Sequence, residues 1–315
     1  MKSLKPLVVI VGPTAAGKTE VAIEMAKILH GEVISADSMQ VYRGMDIGTA
    51  KPTLAEMQGI PHHLIDVVDP DEEYSVAMFQ RDAEQLIEDI TARGNLPFLV
   101  GGTGLYVRAV IDHYDFTPAA RDEKLRKQLM EDAARLGPLA MHQRLAAVDP
   151  VTAARLHPND TRRVIRALEV YHLTGKSINE YQYNDQISQP KYRLFMFGLT
   201  MDRQLLYRRI EQRVDLMLAQ GLVQEVRQLL QKYSKLGTAL QGLGYKEIIA
   251  YLNGECTLDE AVEILKRNTR RFAKRQLTWF RADKRIEWIE LAENTDRREV
   301  AKEIAQRIAG DLLKM

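Results

Sequence analysis

The 315-residue chain has one cysteine, Cys256. A lone cysteine excludes an internal disulfide framework, a CxxC redox pair, a cysteine-built zinc site and an iron–sulfur cluster. It reads as a small buried hydrophobe rather than a nucleophile. Charge of one sign is not in excess either: 44 Lys and Arg stand against 43 Asp and Glu, a formal net charge of +1. The global balance therefore points to no polyanionic partner, and only local clustering can. No apolar run reaches membrane-spanning length, and the opening MKSLKPLVVIVG leads into a loop motif rather than a cleavage site. A soluble, cytoplasmic protein in a reducing compartment is expected, with no membrane partner. Repeats, low-complexity tracts and Gly/Ser linkers are also missing.

The N-terminal third alternates strand and helix patterns. Leu7–Val11 is a continuous aliphatic run, as in a strand buried on both faces. Lys18–Leu29 carries Val21, Ile23, Met25, Ala26 and Leu29 at roughly helical spacing. Val33–Ser35 reads as a second strand, Met78–Arg93 as a helix stopped by Gly94, and Leu96–Val100 as a third strand stopped by Gly101 and Gly102. Alternation of this kind predicts a parallel sheet with helices on its faces. Strand signals then vanish between about Pro118 and Gln189, where helices are predicted over Asp122–Leu136, Pro138–Val148 and Thr161–Leu173, with a loop at Asn184–Pro190. A strand returns at Arg193–Leu199. The final third is helical, with one more strand at Arg285–Ile289 and a capping box at Thr257–Glu260 that starts a long helix to about Ala282. The fold class is α/β: a P-loop-type parallel sheet flanked by helices, residues 1–117 with 190–315, carrying a helical insertion domain over 118–189.

GPTAAGKT, Gly12–Thr19, matches the phosphate-loop pattern G-x-x-x-x-G-K-[ST] between a buried strand and a helix. Its glycines let backbone N–H groups turn inward around phosphate oxygens, and the helix N-terminus adds a favourable dipole. Lys18 supplies a point charge and the Thr19 hydroxyl can ligate Mg²⁺. An NTPase would next show aliphatics ending directly in Asp. None is convincing: Asp202 trails Phe195–Leu199 by three residues and reads better as a helix N-cap. An ordinary ATPase is thereby disfavoured, and a small-molecule kinase stays open. Asp37 ends the second strand in ISADSMQ, and Thr103 follows the third in LVGGTGLY. In a parallel sheet these positions share one edge, so Lys18, Thr19, Asp37 and Thr103 are expected to converge. His62 and His63 suggest a metal, but with no cysteine and no other histidine nearby a structural role is expected.

These stretches, with PHHLIDVVDP, HPNDTRRVIRALEVYHLTGK, RRIEQRVDLMLAQGLVQEV and TRRFAKRQLTWFR, resemble the bacterial tRNA dimethylallyltransferases, in order from about residue 6 to 290. The resemblance implies that the loop holds dimethylallyl diphosphate with Mg²⁺, and that the prenyl group passes to N6 of the adenosine 3′ of the anticodon. It implies diphosphate contacts from Gly12, Pro13, Thr14, Ala15, Ala16, Gly17, Lys18, Thr19, Lys274 and Arg275. Arg213 would clamp the diphosphate, Thr103 would bond near its bridging oxygen, and Asp37 would accept the N6 proton. Glu211 and Asp215 flank Arg213, so a solvated surface charge is its rival role. The implied tRNA contacts are Asp37, Ser38, Met39 and Gln40, then Arg162, Arg163, Val164, Ile165 and Arg166, and Arg271. The insertion domain would grip the anticodon stem. On the predicted long helix Arg267, Arg271, Lys274, Arg281 and Arg285 form a basic stripe, roughly opposite Leu258, Val262, Leu265, Phe272 and Trp279. The partners expected are the tRNA anticodon stem-loop and dimethylallyl diphosphate, the cofactor Mg²⁺, and the protein a monomer. A related enzyme acting on free AMP remains an alternative, one that would need neither the insertion nor the basic stripe.

Overall fold

The computed structural model describes residues 4–114, 122–178, 190–233, 237 and 239–313. The chain divides into two compact units: Met1–Ile111 with Pro190–Met315, and Asp112–Gln189. The first unit opens with β1 (Pro6–Val11), α1 (Lys18–Leu29), β2 (Gly31–Ala36), α2 (Leu54–Met57), β3 (His62–His63), α3 (Val76–Ala92), β4 (Leu96–Gly101) and α4 (Gly104–Ile111). The two-residue β3 carries no periodicity that a sequence can show. It pairs with Val33 and Ile34 of β2.

The second unit holds α5 (Glu123–Val148), α6 (Pro150–Arg155) and α7 (Thr161–Thr174). Asp122 caps α5 by accepting from the Lys124 and Leu125 amides. Gly137 breaks it at φ 82°, ψ 166°, ahead of Pro138, where the sequence predicts two helices. The one-turn α6 is an addition, started by the Asp149 carboxylate accepting from the Thr152 amide at 3.0 Å. A separate core forms from Leu129, Met141, Leu145, Val164, Ala167 and Leu168. Most of the loop expected at Asn184–Pro190 lies outside the described residues.

The first unit resumes with β5 (Arg193–Thr200), α8 (Arg203–Ala219), α9 (Leu222–Lys232), a 3₁₀ turn (Ala239–Gln241), α10 (Tyr245–Leu252), α11 (Leu258–Arg281), β6 (Glu287–Glu290) and α12 (Arg297–Leu312). Asp202 is the N-cap of α8, accepting from Gln204 and Leu205 N–H. The Thr257–Glu260 capping box starts α11 as expected. The last strand begins two residues later than predicted, because the Asp283 carboxylate accepts from the Arg285 amide and guanidinium and holds that residue in a turn.

All six strands are parallel, in the order β3-β2-β4-β1-β5-β6. Alternate residues of β1 feed two cores. Leu7, Val9 and Val11 join Phe79, Ile87 and Val110 from α3 and α4, while Val8 and Ile10 join Val21 and Met25 of α1 and Ile304 of α12. A strand covered on both faces has no polar side, which is why its sequence is an unbroken aliphatic run. β1 sits between β4 and β5, so loops leaving β1, β2 and β4 open onto one edge of the sheet.

Candidate active site

At that edge a cavity of about 380 Å³ is lined by residues of the first unit alone. Lys18 and Thr19 reach it from the N-terminus of α1, Asp37 from the end of β2, Thr103 from the end of β4, Arg213 from α8 and Arg275 from α11. The expected convergence of Lys18, Thr19, Asp37 and Thr103 is what the geometry shows. Ile210, Val214, Met217, Leu265 and Phe272 give the cavity an apolar wall.

The loop owes its shape to positive-φ backbone conformations. Ala15 has φ 64°, Gly17 φ 89° and Gly12 φ 145°. A Cβ on Gly12 would lie 2.4 Å from the Leu199 carbonyl oxygen of β5, so only glycine fits there. Lys18 Nζ donates to the Gly12 and Pro13 carbonyls at 3.1 and 2.8 Å, which arches the side chain over the loop.

Asp37 and Thr103 are joined through Ser38. The Asp37 Oδ1 accepts from the Met39 amide at 2.9 Å, and the Thr103 hydroxyl oxygen accepts from the Ser38 amide at 3.1 Å. Thr103 N–H in turn donates to the Ala36 carbonyl. The side chain of Gln40 is committed to the protein: its Oε1 accepts from the Ser35 hydroxyl at 2.9 Å and its amide nitrogen faces the Thr49 and Ala50 carbonyls. It therefore braces the cavity wall.

Two cations share this space. Burial, and then repulsion by Arg213, pull Lys18 down from 10.5 to about 8, while Asp37 opposes the shift. Burial also lowers Arg213, with Asp37 and then Glu56 favouring its charge. Glu211 and Asp215, the acidic neighbours that made Arg213 look like a surface charge, pair instead with Arg270 at 2.6 Å and Lys266 at 2.7 Å on α11. Arg213 points the other way, into the cavity. A desolvated Lys–Arg pair beside the loop favours negative charge in this cavity.

Other predicted residues fall elsewhere. Lys274 and Arg271 are exposed on α11 and do not line the cavity, although Arg275 does, with its guanidinium 5.7 Å from the Phe272 ring. The basic stripe keeps Arg267, Arg271, Lys274 and Arg281, all exposed, but Arg285 lies beyond the helix end and pairs with Asp283. The buried face of α11 is Ala261, Leu265, Ala273, Gln276 and Phe280, so Trp279, 39% exposed, and Phe272 flank it rather than form it. In the second unit Arg162 and Arg163 are exposed, and Arg166 pairs with the buried Glu169 at 2.8 Å. Val164 and Ile165 are corrected: their side chains are buried in that unit's core and are unavailable to RNA. His63 bonds Glu32 at 2.7 Å and His62 donates to the Ile60 carbonyl at 2.8 Å, both structural, and no metal-ligating cluster occurs among the described residues. Cys256 is half-buried.

Two supports escape the motif reading. Glu225 of α9 accepts from the Asp46, Ile47 and Gly48 amides and from the Tyr245 hydroxyl, at 2.7 to 3.1 Å, and so fixes the loop that carries Gly48, Thr49 and Ala50 into the cavity. Burial first, and then Glu225, hold the Tyr245 phenol well above its ordinary value. Gln276 joins the phosphate loop to the loop after β4. The available signal was a glutamine standing in the apolar stripe of a helix.

The IPP transferase family model matches residues 40–283. The chain is 68% identical to the tRNA dimethylallyltransferase of Desulforamulus reducens over 90% of its own length and all of the relative's. It is 56% identical to that of Pelotomaculum thermopropionicum over 98% of each chain. The crystal structure of a full-length tRNA isopentenylpyrophosphate transferase from Bacillus halodurans is 50% identical, with a TM-score of 0.74 over 98% of this chain and 97% of that one. A eukaryotic dimethylallyltransferase acting on tRNA, 33% identical, gives a TM-score of 0.82 over 98% of this chain and 80% of that one. By model, by sequence along its length and by fold, the chain belongs to the tRNA dimethylallyltransferase family of IPP transferases.

Proposed function

We propose that the protein transfers a dimethylallyl group from dimethylallyl diphosphate to N6 of the adenosine 3′ of the anticodon in tRNA, releasing diphosphate. The observation that carries the reading is the single cavity in which the desolvated Lys18 and Arg213 face Asp37 and Thr103 beside the loop amides. An allylic carbon reacts readily once its leaving group is stabilised. Amides at the start of α1, with Lys18, Arg213 and Arg275, would take the negative charge that grows on the diphosphate as the C1–O bond breaks. The apolar wall of Ile210, Val214, Met217 and Leu265 suits a five-carbon tail and excludes water from the allylic carbon. The N6 lone pair forms the new N–C1 bond and Asp37 accepts the N6 proton. Thr103 would bond near the bridging oxygen, and its tie to Ser38 would orient the Asp37 turn.

The Thr19 hydroxyl at the cavity, with no cluster of three acids among the described residues, suits an ion that keeps waters and takes its other ligands from diphosphate. Thr19 would hold Mg²⁺, which supplies charge neutralisation of the leaving diphosphate.

The target adenosine must leave its stack to reach Asp37. Arg267, Arg271, Lys274 and Arg281 on α11 are the phosphate-contacting candidates on the first unit, and Arg162 and Arg163 on the second, whose role would be to grip the anticodon stem. The reading takes a monomer, cytoplasmic with its tRNA; among the described residues no helix is long and apolar enough to cross a membrane. The test is incubation with dimethylallyl diphosphate, Mg²⁺ and unmodified tRNA, followed by digestion and mass analysis of nucleosides, with AMP and ATP reactions in parallel. A prenyl mass gain on tRNA adenosine supports the reading. Gain on AMP alone, or ATP turnover, overturns it.

A further inference from the structure

Gln276 is the one polar residue among the buried residues of α11, and both ends of its amide are used. Its Oε1 accepts from the Thr14 amide at 2.9 Å, and its Nε2 donates to the Gly102 carbonyl at 2.9 Å. The two bonds fix the amide's orientation, since a flip would set N–H against N–H and oxygen against oxygen. Gly102 makes room for this: a Cβ there would stand 2.2 Å from the Gln276 Nε2, with the next neighbour at 3.4 Å. A single side chain thus ties together the loop after β1, the loop after β4 and the helix that carries Arg275.

What lies at each end decides what the tie can do. Thr14 is the shoulder of the phosphate loop. Its N–H is committed to Gln276, and the Ala16 N–H donates to the Pro13 carbonyl at 3.4 Å. Gly102 immediately precedes Thr103, whose hydroxyl holds the Ser38 amide beside Asp37. A shift at Gly102 therefore moves both Thr103 and the Asp37 turn relative to the leaving group. We propose that Gln276 is a positioning residue: it sets the reach between the diphosphate loop and the Thr103–Asp37 edge, and so governs the chemical step rather than donor affinity. This inference rests on the transferase reading above. Gln276 touches no reacting atom on this account; it acts through Thr14 and Gly102.

The geometry makes two separate perturbations available. Gln276→Met keeps the length and removes both bonds. Gly102→Ala leaves Gln276 in place and pushes its amide aside, and the backbone at Gly102 is not in the left-handed region, so the alanine itself is unstrained. Displacing a group of this kind by about 1 Å costs on the order of 100-fold in rate. With thermal midpoints confirming folded protein, both variants are expected to lose about 100-fold in kcat while donor KM and the Kd for inorganic pyrophosphate move less than about 3-fold. In a Gln276→Ala background Gly102→Ala should add little, because the group it displaces is gone. Hydrogen exchange on the full chain supplies a readout independent of turnover: the Thr14 amide and the Gly102–Gly104 segment should lose protection together in Gln276→Met. A kcat within about twofold of wild type, a loss confined to pyrophosphate affinity, or exchange that changes in one loop only would each overturn the proposal. If the wild-type protein transfers nothing to tRNA, the transferase reading fails by itself, and the exchange experiment still decides whether Gln276 couples the two loops.

Discussion

Lys18 gives the site a pH limit that an ordinary lysine would not. The side chain is buried beside Arg213 and sits near 8 instead of 10.5 before any anion arrives. On the proposed reading diphosphate binding needs the ammonium, so the free-protein value would govern kcat/KM for the donor and the affinity for inorganic pyrophosphate. With that value about nine in ten molecules carry the charge near pH 7, and about one in ten near pH 9. Pyrophosphate affinity, measured by calorimetry in the presence of Mg²⁺, should therefore be level below about pH 7.5 and fall roughly tenfold per unit above about pH 8.5. The sign follows from the pair of states: the cationic form binds, the neutral form does not, and raising pH removes the cation. Two variants move the limb in opposite directions. Arg213→Gln removes the repelling charge and should shift it to higher pH, at reduced overall affinity; Asp37→Asn removes the favouring carboxylate and should shift it lower. A profile flat to about pH 9.5, as a lysine at 10.5 would give, refutes the reasoning. So does a limb that ignores Arg213.

Other outcomes follow from single contacts. Glu225→Gln weakens bonds to three loop amides and to Tyr245, so a loss of about 2 kcal/mol in denaturant unfolding is expected with a raised tRNA KM; Tyr245→Phe should cost about 1 kcal/mol, and the double variant less than the sum. Glu32 is drawn down to about 2, against the opposing desolvation, by bonds from Arg93, Asn95 and His63. Its stabilisation, at most roughly 3 kcal/mol, is present above the ordinary value of 4.5 and is lost as pH falls from there toward 2; Glu32→Gln should flatten the acid limb of the unfolding curve. Gly12→Ala meets the Leu199 carbonyl at 2.4 Å in a backbone conformation that alanine resists, and should lower the thermal midpoint by the equivalent of ~2–4 kcal/mol and abolish measurable pyrophosphate binding.

Where a residue's environment is written in its own neighbours, the sequence was legible. β1 reads correctly because a strand buried on both faces must be aliphatic throughout, and the helix of Lys18–Leu29 follows to the residue from the loop motif and its apolar spacing. Asp37 and Thr103 could be brought beside the loop because a parallel sheet places every strand's C-terminal end on one edge. Contacts between distant segments were not legible. Glu225 lies nearly 180 positions from the amides it holds, at |i−j| of 177 to 179, and Gln276 lies 262 from Thr14. A linear pattern does not encode such pairings. Val164 and Ile165 were misjudged for a related reason: a motif names a segment, while helical geometry turns only part of it outward. Arg162 and Arg163 face solvent; the next two residues face the core.

On the proposed reading one cavity holds the leaving group and the proton acceptor in separate hands. The most direct test is Asp37→Ala, assayed for pyrophosphate binding and for prenyl transfer to tRNA adenosine under single-turnover conditions. Lys18, Arg213 and the loop amides remain, so pyrophosphate should bind within roughly tenfold of wild type, while transfer should fall by about 10²–10⁴-fold. Transfer at the wild-type rate would contradict the account, because the N6 proton would then have gone somewhere other than Asp37.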